Sequence, residues 1–313
     1  MSWSEKTVAV TGGAGFLGSH LCEALIERGA NVLVFDNSTT GMFDNLDLIR
    51  RDIEIVDCDV RDRESIADLG NADIVFHLAA VANPRTCKDN FDLAFDVNVT
   101  GTKNILETCR RNGCDRIVFT STASVYGDPE YVPINESHPR HGYDPYAVTK
   151  KIGEDLCRNY YENYRLPVTI VRNFNLFGPK QERGYLIPTL IAQALDEGKI
   201  EIWNGKSSRD FMYVTNGVAA LLEASTCDGL LGDVVNVGSG DEVSAGTLAN
   251  QISQRFGNVP VEDLRKDTVG SRRLICDNQK LQKETGWKVE VPFEHGLEMT
   301  IEWFEERQLR SYT

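Results

Sequence analysis

Thr11-Gly12-Gly13-Ala14-Gly15-Phe16-Leu17-Gly18 stands between a short apolar run, Val8-Ala9-Val10, and a stretch with Phe16, Leu17, Leu21, Ala24 and Leu25 on one helical face. Nothing else in the chain restricts the fold as strongly. Glycines at these places let the backbone turn tightly from strand to helix and approach a pyrophosphate at the helix N-terminus. A lone glycine motif is weak evidence, but the context here is complete. A second apolar run, Val32 to Phe35, ends at Asp36. A carboxylate at that spacing accepts hydrogen bonds from both hydroxyls of a ribose. It also repels a 2′-phosphate, and no arginine follows it closely, which selects NAD over NADP. The candidate cofactor contacts are therefore Gly12, Gly15, Phe16, Leu17, Gly18, Asp36 and Asn37.

Further apolar runs at 53–56, 74–76, 116–119 and 168–171 read as strands, with long helical patterns at about 91–111 and 145–164. Continuous apolar strands separated by helices predict an α/β fold with a Rossmann-type, doubly wound parallel sheet. Asp59 and Val60, after the third strand, are candidates to meet the adenine. Leu78, Ala79 and Ala80, after the fourth, are small enough as a turn to pass close to the cofactor. Beyond Gly178-Pro179 the segments shorten, with strands expected near 200–202, 211–214 and 234–237 and helices near 247–256 and 294–307. The expected division is residues 1–175 as an NAD-binding domain, with later segments at about 210–240 interleaved into it. Residues 176–313 are expected to form mainly a smaller α/β lobe for the substrate.

Composition narrows the partners. The 313 residues carry a net charge of −14, which argues against nucleic acid because a phosphate backbone would be repelled. No apolar run reaches the roughly 20 residues of a membrane-spanning helix, and the opening residues do not resemble a secretory signal. Eight cysteines show no CxxC spacing, and several fall at apolar positions of helical patterns. They read as reduced thiols of a cytoplasmic protein. The five histidines are scattered, so no metal site is expected.

Tyr146 and Lys150 begin a helical pattern four residues apart and so share one face. The lysine charge is expected to favour the phenolate and make Tyr146 a general base. The fifth strand runs into Thr120-Ser121-Thr122-Ala123-Ser124-Val125-Tyr126-Gly127. Ligands of open parallel sheets lie beyond the carboxyl ends of the strands, so a hydroxyl there can reach a reacting oxygen.

With TGGAGFLGSH (11–20), FDNSTTG (35–41), HLAA (77–80), NVTGT (98–102), TSTASVYG (120–127), PYAVTK (145–150), VRNFNLFGP (171–179), RDFMYV (209–214) and NVGSG (236–240), the chain resembles the extended short-chain dehydrogenase/reductase family. It is closest to the nucleotide-sugar epimerase/dehydratase branch, over nearly its whole length. The resemblance implies that Thr122, Tyr146 and Lys150 are catalytic and that Asn98 is a structural asparagine beside the cofactor site. It implies that Asn175 and Arg209 hold a diphosphate, with Arg272 or Arg273 adding a contact, and that Trp203 lies against the base. Arg85 and Ser124 are candidate sugar contacts. Leu274 falls near the position that limits bulk at the sugar 2-substituent.

Dehydratases of the branch place Asp-Glu directly after the threonine, and decarboxylases tend to carry a glutamate at the second position; here Ala123 and Ser124 follow. The expectation is a 4-epimerase of a UDP-sugar of the glucose/galactose kind, acting through a 4-keto intermediate. UDP-N-acetylglucosamine or UDP-glucuronate epimerisation and 4-dehydrogenation or decarboxylation are the alternatives. A homodimer packed through the helices at 91–111 and 145–164 is also implied. The RDFMYV motif usually continues with aspartate, whereas Thr215-Asn216 follow here.

Overall fold

The computed structural model describes residues 2–266 and 273–311. The first half alternates strands and helices: β1 (Thr7–Thr11), α1 (Phe16–Glu27), β2 (Asn31–Asp36), β3 (Ile53–Asp57), β4 (Ile74–His77), α2 (Pro84–Asp89), α3 (Phe91–Phe95), α4 (Thr102–Asn112), β5 (Arg116–Thr122), α5 (Pro145–Tyr164) and β6 (Val168–Asn173). The rest comprises β7 (Asn175–Phe177), α6 (Leu186–Glu197), β8 (Ile200–Ile202), β9 (Ser208–Arg209), β10 (Phe211–Tyr213), α7 (Val214–Thr226), β11 (Val234–Val237), β12 (Val243–Ser244), α8 (Ala245–Arg255), β13 (Val261–Asp263), β14 (Arg273–Leu274), α9 (Gln279–Thr285) and α10 (Phe293–Ser311).

Seven parallel strands form the main sheet in the order β3-β2-β1-β4-β5-β6-β11. The chain leaves β1 first toward β2 and β3, then returns to its other side at β4, so a crevice opens at the carboxyl ends of β1 and β4. Alternation along the strands feeds two cores. Val8, Val10, Val32 and Val34 pack with Leu21 and Leu25 of α1. Ala9 and Leu33 face the opposite side, with Ile105 and Cys109 of α4 and Cys157 of α5. The doubly wound expectation therefore holds, with helices on both faces.

Three small sheets lie apart from the main one: β7 with β10, β12-β9-β14, and β8 with β13. The predicted strand at 211–214 stops at Tyr213 and pairs with β7 outside the main sheet, while Val214 opens α7. The segments that return to the first lobe are α7, which packs on α1, β5 and β6, and β11 at the sheet edge. Likewise the helix expected over 91–111 is α3 and α4 joined by a π-helical turn at Asp96–Gly101. The extra residue in such a turn rotates Asn98 inward.

Asn216 has a structural explanation. Its Oδ1 accepts from the backbone N–H groups of Glu290 (3.0 Å) and Val291 (3.0 Å), and its Nδ2 donates to the Val291 carbonyl at 2.8 Å. An aspartate reproduces the two acceptor bonds and lacks the donor. All eight cysteines are free thiols, and seven are buried. Among the described residues no helix is long and apolar enough to cross a membrane.

Candidate active site

The glycine turn forms one wall of a cavity of about 450 Å³. Gly12 has φ +72°, and a Cβ on it would stand 2.7 Å from the Ala79 nitrogen. A Cβ on Gly18 would stand 2.1 Å from the Gly12 carbonyl oxygen. The close packing of β1, α1 and the turn after β4 therefore requires glycine at both places. Gly12, Gly15, Phe16, Leu17 and Gly18 all line the cavity, as do Leu78 and Ala80. Gly12 and Ala80 also line a smaller space of about 100 Å³ bounded by Asp36, Asn37, Asp59, Val60 and Ala79. The Asp36 carboxylate accepts from Ala14 N (2.9 Å) and Ser38 N (2.8 Å), which orients it toward this space. Arg61 borders the same space, but Asp59 chelates its guanidinium through contacts of 3.0 and 2.6 Å. That arginine is therefore already engaged, and Asp59 serves to hold it.

Beyond β5 lie the candidate reactive groups. Thr122, Ser124, Tyr146 and Lys150 line the larger cavity. Thr122 Oγ1 donates to Ser124 Oγ at 3.3 Å and accepts from Ser124 N at 3.1 Å. Lys150 is 2% exposed, and its Nζ donates to the Thr120 carbonyl at 2.9 Å and lies 4.9 Å from the Phe119 ring centroid. Burial lowers this lysine to about 8. Tyr146 departs from expectation. Desolvation, then Tyr185, Cys87 and Asp144, push its phenol above the ordinary value, while the Thr122 hydroxyl pulls it down. In the chain alone the lysine charge is directed at a carbonyl, so the predicted lowering of the phenol is not realised.

The other expected residues divide. Asn175 lines the cavity and donates to the Asp210 carbonyl at 3.1 Å. Arg209 does not line it; it is half-buried, desolvation lowers its guanidinium from the usual value against the opposing Asp128 carboxylate, and it donates to the Ser208 carbonyl at 2.8 Å. Asn98 is buried and bonded throughout to protein: Oδ1 accepts from Val81 N (2.8 Å), and Nδ2 donates to Val81 O (3.0 Å) and Thr149 Oγ1 (3.0 Å). It braces the turn after β4 against α5 and does not line the cavity. Arg85 sits exposed on α2, Trp203 is 54% exposed, and neither lines the cavity. Arg273 is held by Glu242 at 2.6 Å, and Arg272 lies outside the described residues. Leu274 is buried beside Ala123 and Phe174 in a separate small core.

Sequence reasoning missed the loop after β7. Lys180, Gln181, Glu182 and Tyr185 all line the cavity. The Gly178-Pro179 turn was the available signal, since it ends a strand on the same side of the molecule as the glycine turn. Also missed was a buried network behind the reactive groups. Tyr146, Lys150 and Glu154 follow at four-residue spacing along α5. Glu154 accepts from Ser121 Oγ (2.6 Å) and from Arg172 Nε (2.8 Å) and Nη2 (2.7 Å). Arg172 Nη1 donates to the Tyr126 hydroxyl at 2.8 Å, which donates to Asn236 Oδ1 at 2.6 Å. The network clamps the strand end that carries Thr120 and Thr122.

Among the described residues, two buried acceptors at the cavity wall, Asn173 Oδ1 and Gln181 Oε1, have no hydrogen-bond partner. They suit a ligand bearing N–H donors, as a nicotinamide carboxamide does. With the glycine cradle and Asp36, the residues present fit a dinucleotide.

A dinucleotide cradle at the switch point of a parallel sheet, opening onto a threonine, a tyrosine and a buried lysine, defines an NAD-dependent enzyme of the short-chain dehydrogenase/reductase type. The comparisons narrow this further: residues 8–238 match the model of the NAD dependent epimerase/dehydratase family, and the chain belongs to it. The chain is 33% identical over 303 residues to a putative UDP-glucose 4-epimerase of Methanocaldococcus jannaschii, covering 95% of this chain and 97% of the relative. It is 34% identical over 322 residues to a UDP-N-acetyl-alpha-D-glucosaminuronate decarboxylase of Bacillus cytotoxicus, covering 96% and 98%. The solved structure of an epimerase from Methanothermobacter thermautotrophicus superposes with a TM-score of 0.93 at 30% identity, over 97% of this chain and 94% of that one. The cofactor is NAD.

Proposed function

We propose that the chain epimerises the C4 centre of a UDP-sugar of the glucose/galactose kind through a transient 4-keto sugar. One observation carries the choice of reaction. Thr122 is followed by buried Ala123 and by Ser124, so no carboxyl group stands on that turn to move protons at neighbouring sugar carbons. Elimination of water needs such an acid–base group; reversible oxidation at one carbon does not.

Each residue then has a defined task. Tyr146 accepts the proton of the 4-hydroxyl and returns it. Thr122 donates a hydrogen bond to the same oxygen. Lys150 supplies a buried positive charge at the base of the cavity. Bound NAD supplies the acceptor and donor of hydride. Asn175 and Arg209 hold the diphosphate, which retains the intermediate while the sugar turns over.

The expected homodimer belongs to this proposal as well. Ile105, Leu106, Cys109 and Cys157 of the two helices are buried within the chain itself and are not available to that interface.

NMR and mass analysis of UDP-glucose, UDP-N-acetylglucosamine and UDP-glucuronate incubated with protein and NAD test the reading. An isomer of unchanged mass inverted at C4 supports it. Loss of water or carbon dioxide, or accumulating NADH, overturns it.

A further inference from the structure

The cavity beside Tyr146 has an uneven charge inventory. Among the described residues, Glu182 is the single carboxylate that lines it. Glu182 follows β7, is exposed, and has no hydrogen-bond or ion-pair partner among the described residues. It raises the neighbouring Tyr185 phenol, after burial as the first cause, and Tyr185 in turn is felt by Tyr146.

The cations nearby are already engaged. Lys180, which lines the same cavity, is held by Glu23 Oε1 at 2.6 Å and by the Asn45 carbonyl at 2.8 Å. Arg183 is paired with Asp196 at 2.7 Å. Lys150 keeps its charge but is 2% exposed, and it donates to the Thr120 carbonyl. Arg85 does not line the cavity, and Arg209 is the diphosphate group of the reading above. A sugar carboxylate entering here would leave water and meet a like charge, while of the cations among the described lining residues Lys180 is already paired and Lys150 is buried.

We propose that Glu182 is a specificity-determining residue that makes this cavity select neutral hexoses and reject uronates. The inference rests on the epimerase reading for the placement of the sugar, and it excludes one of that reading's alternatives, UDP-glucuronate as substrate. It needs no step from Glu182 in the reaction. The residue acts by charge alone, so the discrimination weakens as salt screens it.

Dissociation constants of UDP-glucose and UDP-glucuronate for the NAD-loaded protein, by calorimetry at low and high salt, give the test. The variants are Glu182→Gln and Glu182→Arg; both change an exposed side chain with no partner. The wild type is expected to prefer UDP-glucose, and Glu182→Gln to narrow the ratio by roughly fivefold, the effect of one exposed charge interaction. Glu182→Arg narrows it further, and high salt erases most of the difference. Equal or tighter binding of UDP-glucuronate to the wild type overturns the proposal, and so does a ratio unmoved in both variants. Product analysis separates the two readings. Conversion of UDP-glucose with an unmoved ratio sinks the role of Glu182 and leaves the epimerase standing. A shifted ratio without epimerisation keeps the charge selection and sinks the epimerase.

Discussion

Replacing Glu154 with alanine should destabilise the protein severely. The carboxylate is fully buried and accepts hydrogen bonds from Ser121, twice from Arg172, and from Arg140 at 3.1 Å. Arg172 is 1% exposed, so the variant leaves a guanidinium buried with the Tyr126 hydroxyl as its remaining partner. Breaking a buried ion pair from one side costs about 3–5 kcal/mol. That is a large part of a total stability of about 5–15 kcal/mol. Urea unfolding followed by tryptophan fluorescence should show the midpoint falling with little change in slope. A double variant, Glu154→Leu with Arg172→Met, should recover most of the loss, because it removes the uncompensated charge. The pH sign follows from Glu154 itself. Burial pushes its carboxyl up, but Arg172, Ser121 and Arg140 outweigh burial and hold it below the ordinary value. Its contribution is therefore present above the carboxylate's unfolded value and is lost as pH falls through the folded one. The gap between wild type and Glu154→Ala should close in acid. A Glu154→Ala protein within about 1 kcal/mol of wild type would refute the reasoning. So would a double variant no more stable than the single one.

Tyr146→Phe should lower turnover by about 10²–10⁴-fold while leaving NAD affinity nearly unchanged, as fluorescence titration would read; near-normal turnover would remove Tyr146 as the base. Gly18→Ala should weaken NAD binding at least about tenfold, since its Cβ would collide with the Gly12 carbonyl oxygen; unchanged binding in the same titration would count against the cradle. Lys150 is lowered to about 8, so its buried charge opposes folding below that pH, and stability should rise between about 8 and the unfolded value near 10.5. The rise should vanish in Lys150→Met when unfolding midpoints are compared across pH. Asn216→Asp should cost about 1–3 kcal/mol, because the Val291 carbonyl loses its donor and a carboxylate takes a buried place; an unaltered melting temperature would show that the loop before α10 is held by other contacts.

Much of the site was legible because its residues are local. The glycine turn, Asp36, Thr122 and the Tyr146/Lys150 pair lie at strand ends or on one helical face, where spacing along the chain fixes spacing in space. Glu182, Tyr185 and Lys180 were not legible, since a loop acquires its position from the sheets on either side of it. Asn98 shows the same limit from another direction. The resemblance made it a structural asparagine beside the cofactor site, but only the fold shows that its partners are the Val81 backbone and Thr149. Arg85 and Trp203 were assigned by position along the chain, and the fold leaves both exposed and off the cavity wall.

Periodicity and glycine placement by themselves determined the parallel sheet and the dinucleotide cradle and put Tyr146 and Lys150 on one helical face, because each depends on residues close to one another along the chain. Tertiary structure alone decided which charges meet. It put Glu154 against Arg172, Asp59 around Arg61 and Glu23 on Lys180, and it left Glu182 unpaired at the mouth of the cavity. Coulomb interactions depend on distance and on the surrounding dielectric, and neither quantity exists until segments far apart in the chain have packed together.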